Sequence, residues 1–378
     1  MHHLSREEAR RIAVRAQLLD AERPGDVVEV AEQLGAVKID PTAVIAPSEH
    51  TICWSRLGWV YEPGQLKKAV EDDRLLFEFD GQFRPASLLP LLWPLMRAQR
   101  LRVVSRDYLD ANAAFRDDVL RRLASDGPLP AAEIADTSVV QRSNESGWYG
   151  ANQVPRMLEL LMLLGEVAVS GRVGRQRVWD LAERVYPDDL PAIAPDEAEA
   201  LLAGRRLQSM GIARQKSSWS GVGMAGEPAT VEGSDWKWRV DPDAVEALAD
   251  DPGGRAAILS PYDRMLFDRP RLAELFDFAY VLEQFKPAHQ RVYGYFAHPI
   301  LVGDRFVALL DAALDKKKET LVVGAVHELA PLDDDEREMV RAELRELGEW
   351  LGVPVRGMDG FGGVGSAQGD ERWMEEER

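Results

Sequence analysis

After an opening at Gly150-Ala151-Asn152-Gln153-Val154-Pro155, the apolar side chains Met157, Leu158, Leu160, Leu161 and Leu164 recur at helical spacing, giving one apolar face. Gly165 stands where that helix should end, because glycine accepts the left-handed backbone of a C-cap. The pattern then changes period. Val167-Ala168-Val169, the turn from Ser170 to Arg175, and Gln176-Arg177-Val178-Trp179 predict two short strands around a glycine turn. A helix followed at once by such a hairpin is the layout of a winged helix-turn-helix, whose helix fits a DNA groove and whose hairpin lies along phosphates. Arg172, Arg175 and Arg177 place three cations within six residues, as a phosphate-contacting wing needs. The alternative is a small α+β element whose basic hairpin is merely solvated.

Ser5-Arg6-Glu7-Glu8 predicts a capping box opening a helix to about residue 20. A second helix is predicted over 26–34, stopping at Gly35, and 36–41 reads as a strand ended by Pro41. Another helix follows over about 63–72, and a long helical linker over about 95–125. The Gly127-Pro128-Leu129-Pro130 segment reads as the opening of the second winged unit. A helix over 197–207, a loop over 215–234 and the Trp236-Lys237-Trp238 segment suggest a third, abbreviated unit. From 256 the pattern turns to β, with strands expected over 276–285, 291–298, 305–311 and 321–327 and a closing helix over 333–351. The expected fold class is therefore α+β: three tandem winged helix-turn-helix domains followed by a C-terminal β-barrel-like domain and a closing helix. The expected boundaries are 1–100, 101–190 (basic wing 170–177), 191–250 and 251–352, with 353–378 a disordered acidic tail.

Composition narrows the class. The 378 residues are 46% hydrophobic and 29% charged, ordinary values for a soluble protein. The longest apolar run, 88–96, is short and broken by Pro90 and Pro94, so no membrane span is expected. A single cysteine, Cys53, excludes an internal disulfide, and with six scattered histidines it offers no metal-ligand spacing. No metal or other cofactor is expected. With no apolar leader at the start, these features predict a cytoplasmic, nucleoid-associated protein. A monomer is expected, because no heptad pattern appears. The net charge of −18 opposes DNA binding as a global number, but residues 331–378 alone hold fourteen acidic and six basic residues. The arginines, by contrast, cluster locally.

Candidate chemistry is sparse. Gly360-Phe361-Gly362-Gly363-Val364-Gly365 lacks the strand, helix and lysine of a phosphate-cradling loop and reads as flexible tail. In an extended Lys38-Ile39-Asp40 the two polar side chains leave the same face. A carboxylate there can deprotonate water or stabilise a cationic sugar, and a lysine can bind phosphate or attack as an amine. A surface ion pair is the structural alternative. Asp263 and Asp268, in Ser260-Pro261-Tyr262-Asp263-Arg264 and Phe267-Asp268-Arg269, are expected to hold turn amides. Lys286, Arg291 and Tyr293 surround an expected basic hairpin tip, either a DNA-backbone contact or a solvated turn.

At these residues the chain resembles the bacterial tandem winged-helix DNA glycosylases of the AlkZ/YcaQ type, which unhook interstrand crosslinks and excise bulky N7-alkylguanines. The resemblance spans 4–351. It is carried by Leu4-Ser5-Arg6, Lys38-Ile39-Asp40 with His50, Trp54-Ser55-Arg56-Leu57-Gly58, the wing 168–181, Leu259-Ser260-Pro261-Tyr262-Asp263, and Tyr293-Gly294-Tyr295-Phe296 through Arg305. It implies a DNA channel lined by winged units and a catalytic Gln-x-Gln or Gln-x-Asp pair, here matched by Lys38 and Asp40. Asp40 carries over as the residue that orients water or supports the oxocarbenium ion. Lys38 departs from the expected glutamine. An ammonium beside a cationic N7-alkylguanine repels it. Three consequences follow for Lys38: neutralisation by Asp40, Schiff-base lyase chemistry, or a DNA-binding branch without the activity. The DNA-contact candidates are His50, Arg56, Trp148, Asn152, Gln153, Arg172, Arg175, Arg177, Lys286, Arg291 and Tyr293. The expected partner is damaged double-stranded DNA, and a non-catalytic winged-helix regulator is the competing reading.

Overall fold

The computed structural model describes residues 1–98, 101–141 and 152–358, with the backbone of 361–362. The chain forms two compact units: Met1–Gln65 with Ala203–Arg378, and Leu66–Leu202. The class is mixed α+β.

In the first unit, the helix Arg6–Ala16 opens on a capping box between Ser5 and Glu8 and buries Ala9, Ile12, Ala13 and Ala16. The helix Val27–Leu34 is N-capped by the Asp26 side chain and stops at Gly35, which is left-handed at φ 67°. A helix absent from the sequence reading, Ser48–Leu57, follows the strand Val37–Lys38 and is buried along most of its length. Its spacing gave no apolar stripe because four of its buried positions, Ser48, Thr51, Ser55 and Arg56, are polar. A four-stranded sheet runs in the order His2–Leu4, Glu227–Val231, Trp238–Val240 and Ile212–Arg214. Its first pair is parallel, with His2 opposite Ala229 and Leu4 opposite Val231. The segment 215–234, expected to be loop throughout, thus contains a strand.

The second sheet of this unit follows the path Ala256–Ile258, His298–Val302, Arg305–Asp315, Thr320–Glu328 and Val355–Arg356. Among the described residues its end strands are not paired to one another, so the sheet is open there. The strand predicted over 276–285 is not formed, and that over 291–298 reduces to its last residue. The helix Arg269–Phe276 ends at Asp277 (φ 51°), and the chain to Ala297 is irregular apart from the short turn Ala288–Gln290. Its alternating aromatics pack inward singly: Phe278 stacks on Phe306 with centroids 4.4 Å apart, and the Tyr280 hydroxyl donates to the Ala297 carbonyl at 2.8 Å. The tail also departs from expectation. Val355–Arg356 and Phe361–Gly362 both pair in parallel with Thr320–Glu328, so chain expected to be disordered from 353 carries strand pairing. Residues 363–378 lie outside the described residues.

The closing helix Asp334–Leu351 has its own capping box, Asp333 with Glu336, and buries Val340, Leu344 and Leu347. Its Trp350 stacks on Trp54 of the helix Ser48–Leu57 at 5.6 Å. On the buried face, Glu343 is 5% exposed and its Oε1 has no hydrogen-bond partner among the described residues. Burial pushes its carboxyl from the ordinary 4.5 up to about 7, against the opposing pull of Arg255 and Arg23 and with help from Glu346. The folded value lies above the unfolded one, so the contribution is full below about pH 4.5 and is lost as pH rises through 7. Relative to Glu343→Gln, the wild type should therefore lose on the order of 3 kcal/mol of unfolding free energy between those limits. Urea titrations of both proteins across that range check this. Parallel stability curves would contradict it.

In the second unit, the long linker helix is broken into Leu89–Arg97, Val103–Ala111 and Ala113–Asp126. The hairpin Leu76–Phe79 with Gln82–Pro85 was also unforeseen, although its tip is Asp80-Gly81 with both residues at positive φ. The helix Val154–Leu163 is followed by Gly165 at φ 66° and then by the strands Val167–Val173 and Gln176–Leu181. These strands are longer than expected and leave only Gly174 and Arg175 as the turn. Leu129–Pro130 adds a third strand beside Gln176–Leu181. Met157, Leu158, Leu160, Leu161, Val167 and Trp179 share the core of this unit.

Candidate active site and nucleic-acid interface

Lys38 ends a two-residue strand, and Asp40 begins an irregular loop, both half-exposed. Three hydrogen bonds fix the Asp40 backbone and one carboxylate oxygen. Its amide donates to Glu49 Oε2 at 3.2 Å, its carbonyl accepts from the Ser48 amide at 3.2 Å, and its Oδ1 accepts from the Thr42 amide at 2.8 Å. The last is an Asx turn, which sets the side-chain direction as well as the loop. Among the described residues, Oδ2 has no hydrogen-bond partner, so this oxygen can accept from water or substrate. Farther along the loop, the Leu314 amide donates to the Val44 carbonyl at 2.8 Å, anchoring it to the second sheet.

The helix Ser48–Leu57 organises what surrounds Asp40. Ser48 and Ser260 are both buried, and the Ser260 hydroxyl donates to that of Ser48 at 3.0 Å. Arg56 and Asp263 form a fully buried bidentate pair, with Nη2 donating to Oδ1 at 2.9 Å. Tyr262, between these anchors, is half-buried and accepts from Gln284 Nε2 at 2.6 Å. Burial is the main cause holding the Tyr262 phenol above its ordinary pKa, and the charge of Asp40 adds to it. Glu49, Tyr262 and Gln284 carry no local signal in the sequence that marks them for this site. Tyr262 lay inside a quoted motif, but nothing local linked it to Asp40.

Several candidate contacts are placed differently from expectation. Arg56 is fully buried and turned to Asp263, Gln17 and Ser55, so it offers no cation to DNA. Gln153 is 1% exposed, also out of reach of a groove. His50 is half-buried, shares a 2.7 Å hydrogen bond with the Tyr61 hydroxyl, and has its pKa lowered by burial, so it is neutral near pH 7. Arg172 and Arg177 both pair with the buried Glu78 carboxylate, which offsets much of the charge of the wing. Arg175 at the tip is exposed, as is Asn152, whose side chain accepts from the Val154 amide. Trp148 lies outside the described residues.

Lys286 pairs with Glu283 at 3.1 Å, and Arg291 lies over the Tyr295 ring at 4.9 Å. Tyr293 is half-buried against His327. These three residues sit on the irregular chain described above, not on a hairpin. Phe285 beside them is 87% exposed. Asp263 accepts from the Met265 amide, and Asp268 accepts from the Arg271 amide while pairing with Arg214. Among the described residues, no group of three or more His, Cys, Asp or Glu is placed to hold a metal ion, and no helix is long and apolar enough to cross a membrane.

The model of the AlkZ-like DNA glycosylase family matches residues 31–350. Among solved structures, the DNA glycosylase AlkZ of Streptomyces sahachiroi is similar in fold, with a TM-score of 0.64 at 17% sequence identity. The match covers 94% of this chain and 100% of that one.

Proposed function

The chain belongs to the AlkZ-like DNA glycosylase family, and from that premise we propose that it hydrolyses the N-glycosidic bond of an alkylated or crosslinked purine, of the N7-alkylguanine type, in duplex DNA. The observation that carries this reading is the Asp40 loop, where a half-exposed carboxylate is fixed through Oδ1 and keeps Oδ2 for the reaction. N7 alkylation makes the base cationic, so it leaves with the C1′–N9 electron pair as a neutral species. Asp40 then needs to do two things: offset the positive charge developing on the sugar and take a proton from the attacking water. Neither task calls on a metal.

The helix Val154–Leu163 and the hairpin after it are read as a winged element that grips the duplex, with Arg175 the exposed cation at its tip. Two further winged units are assigned to 1–100 and 191–250. Lys286 and Arg291 are assigned to the phosphate backbone. A lesion joined to both strands cannot swing fully into a closed pocket, which suits a half-exposed carboxylate such as Asp40.

The test is a duplex carrying one N7-alkylguanine, with strands resolved before and after alkali. Breakage only after alkali supports a monofunctional glycosylase. Breakage without alkali assigns the Lys38 amine to lyase chemistry. Intact strands with retained duplex binding overturn the reading in favour of a DNA-binding protein without this activity. Lys38→Gln should excise faster, by about fivefold, since unit charges ~4 Å apart repel by ~1 kcal/mol even in bulk water. A slower Lys38→Gln protein would assign the lysine a productive role.

A further inference from the structure

Tyr262 and Asp40 are 222 positions apart in sequence, yet both are tied to the helix Ser48–Leu57. The Ser48 amide holds the Asp40 carbonyl, and the Ser48 hydroxyl accepts from Ser260, whose own hydroxyl oxygen accepts from the Tyr262 amide at 3.3 Å. On its other side Tyr262 adjoins Asp263, locked to Arg56 of the same helix. The ring is further set by Phe296, tilted against it at 5.8 Å. The backbone near the phenol is therefore fixed by buried polar contacts, and the ring by packing.

The phenol has a defined polarity. Gln284 donates to Oη, so the hydroxyl proton remains to be given elsewhere. The Asp40 charge acts on this phenol, yet no direct hydrogen bond joins the two among the described residues. A donor and an acceptor tied to the same Ser48, through the Asp40 carbonyl on one side and Ser260 on the other, without a direct hydrogen bond suit a bridging water.

We propose that Tyr262, aimed by Gln284, positions the hydrolytic water on Asp40. This inference rests on the glycosylase reading above. The water accepts from the Tyr262 O–H through one lone pair and donates one proton to Asp40 Oδ2, leaving its second lone pair for C1′. As the water oxygen bonds to C1′, the C1′–N9 bond breaks with its electron pair passing to the base, and the water proton passes to Asp40. Tyr262 keeps its proton throughout and is a positioning residue.

The experiment is single-turnover excision from an N7-alkylguanine duplex by wild type, Tyr262→Phe and Gln284→Leu, with duplex affinity and thermal midpoint measured on each. Tyr262→Phe keeps the ring and should slow excision by about 10- to 100-fold with affinity and midpoint unchanged. Gln284→Leu should give a smaller loss of the same kind. A fluorotyrosine at 262, more acidic than tyrosine, should move the alkaline fall of the rate to lower pH, which a packing role cannot do. Wild-type rates in Tyr262→Phe, or an unmoved alkaline limb, overturn the inference while leaving the glycosylase reading intact. Failure of the wild type itself to excise removes that reading, and the role of Tyr262 with it.

Discussion

Asp40→Asn is expected to lower the single-turnover excision rate by about 1,000-fold, while duplex affinity and thermal stability stay close to wild type. The asparagine side-chain oxygen can still accept from the Thr42 amide, and the Glu49 and Ser48 contacts are made by the Asp40 backbone, so the loop is preserved. What disappears is the negative charge and the base. Both matter most when the sugar turns cationic, so the loss belongs to the chemical step rather than to binding. Rapid-quench kinetics with enzyme in excess, beside anisotropy with the same duplex, separate the two. A rate within threefold of wild type would remove Asp40 from the mechanism.

Asp263→Ala should be the most destabilising single change, costing about 3–5 kcal/mol of unfolding free energy. Arg56 and Asp263 are both 0% exposed at their side chains, so removing the carboxylate strands a guanidinium out of water. The Gln17 carbonyl at 3.1 Å and Ser55 hydroxyl at 2.9 Å remain as partners, but neither carries charge. The Met265 amide loses its acceptor in the same step. The double replacement Arg56→Met with Asp263→Leu should recover most of the loss, because no buried charge is then left unpaired. Urea unfolding of the singles and the double closes the cycle. A stable Arg56→Met protein whose DNA affinity had lost about one unit of salt slope would instead restore Arg56 as a phosphate contact.

The same pair shows where sequence reading stops. Arg56 was a reasonable phosphate ligand by residue type, and Asp263 a reasonable turn residue. That they cancel each other's charge follows only from folding 207 positions of chain into contact. Arg172 and Arg177 repeat the lesson within the wing, where Glu78 from the unforeseen hairpin meets both. The alternation over 276–298 is another case. Period two shows which side chains want burial, but a strand also needs a neighbouring edge to bond, and here the aromatics pack without one.

By itself the sequence determined the features whose partners lie within a turn of each other: the capping box at Ser5, the stop at Gly35, the helix before Gly165 with its hairpin, and the closing helix. It also set Lys38 and Asp40 on one short segment. Tertiary structure alone decided that His2–Leu4 joins Glu227–Val231, that Glu49 holds the Asp40 amide, and that Gln284 meets the Tyr262 phenol on which the Asp40 charge acts. Helix caps and tight turns satisfy backbone groups a few residues away, so their energetics are written in neighbouring letters. Sheet edges, buried ion pairs and a phenol's orientation depend on distant groups arriving at hydrogen-bond distance, and only the folded chain settles which ones do.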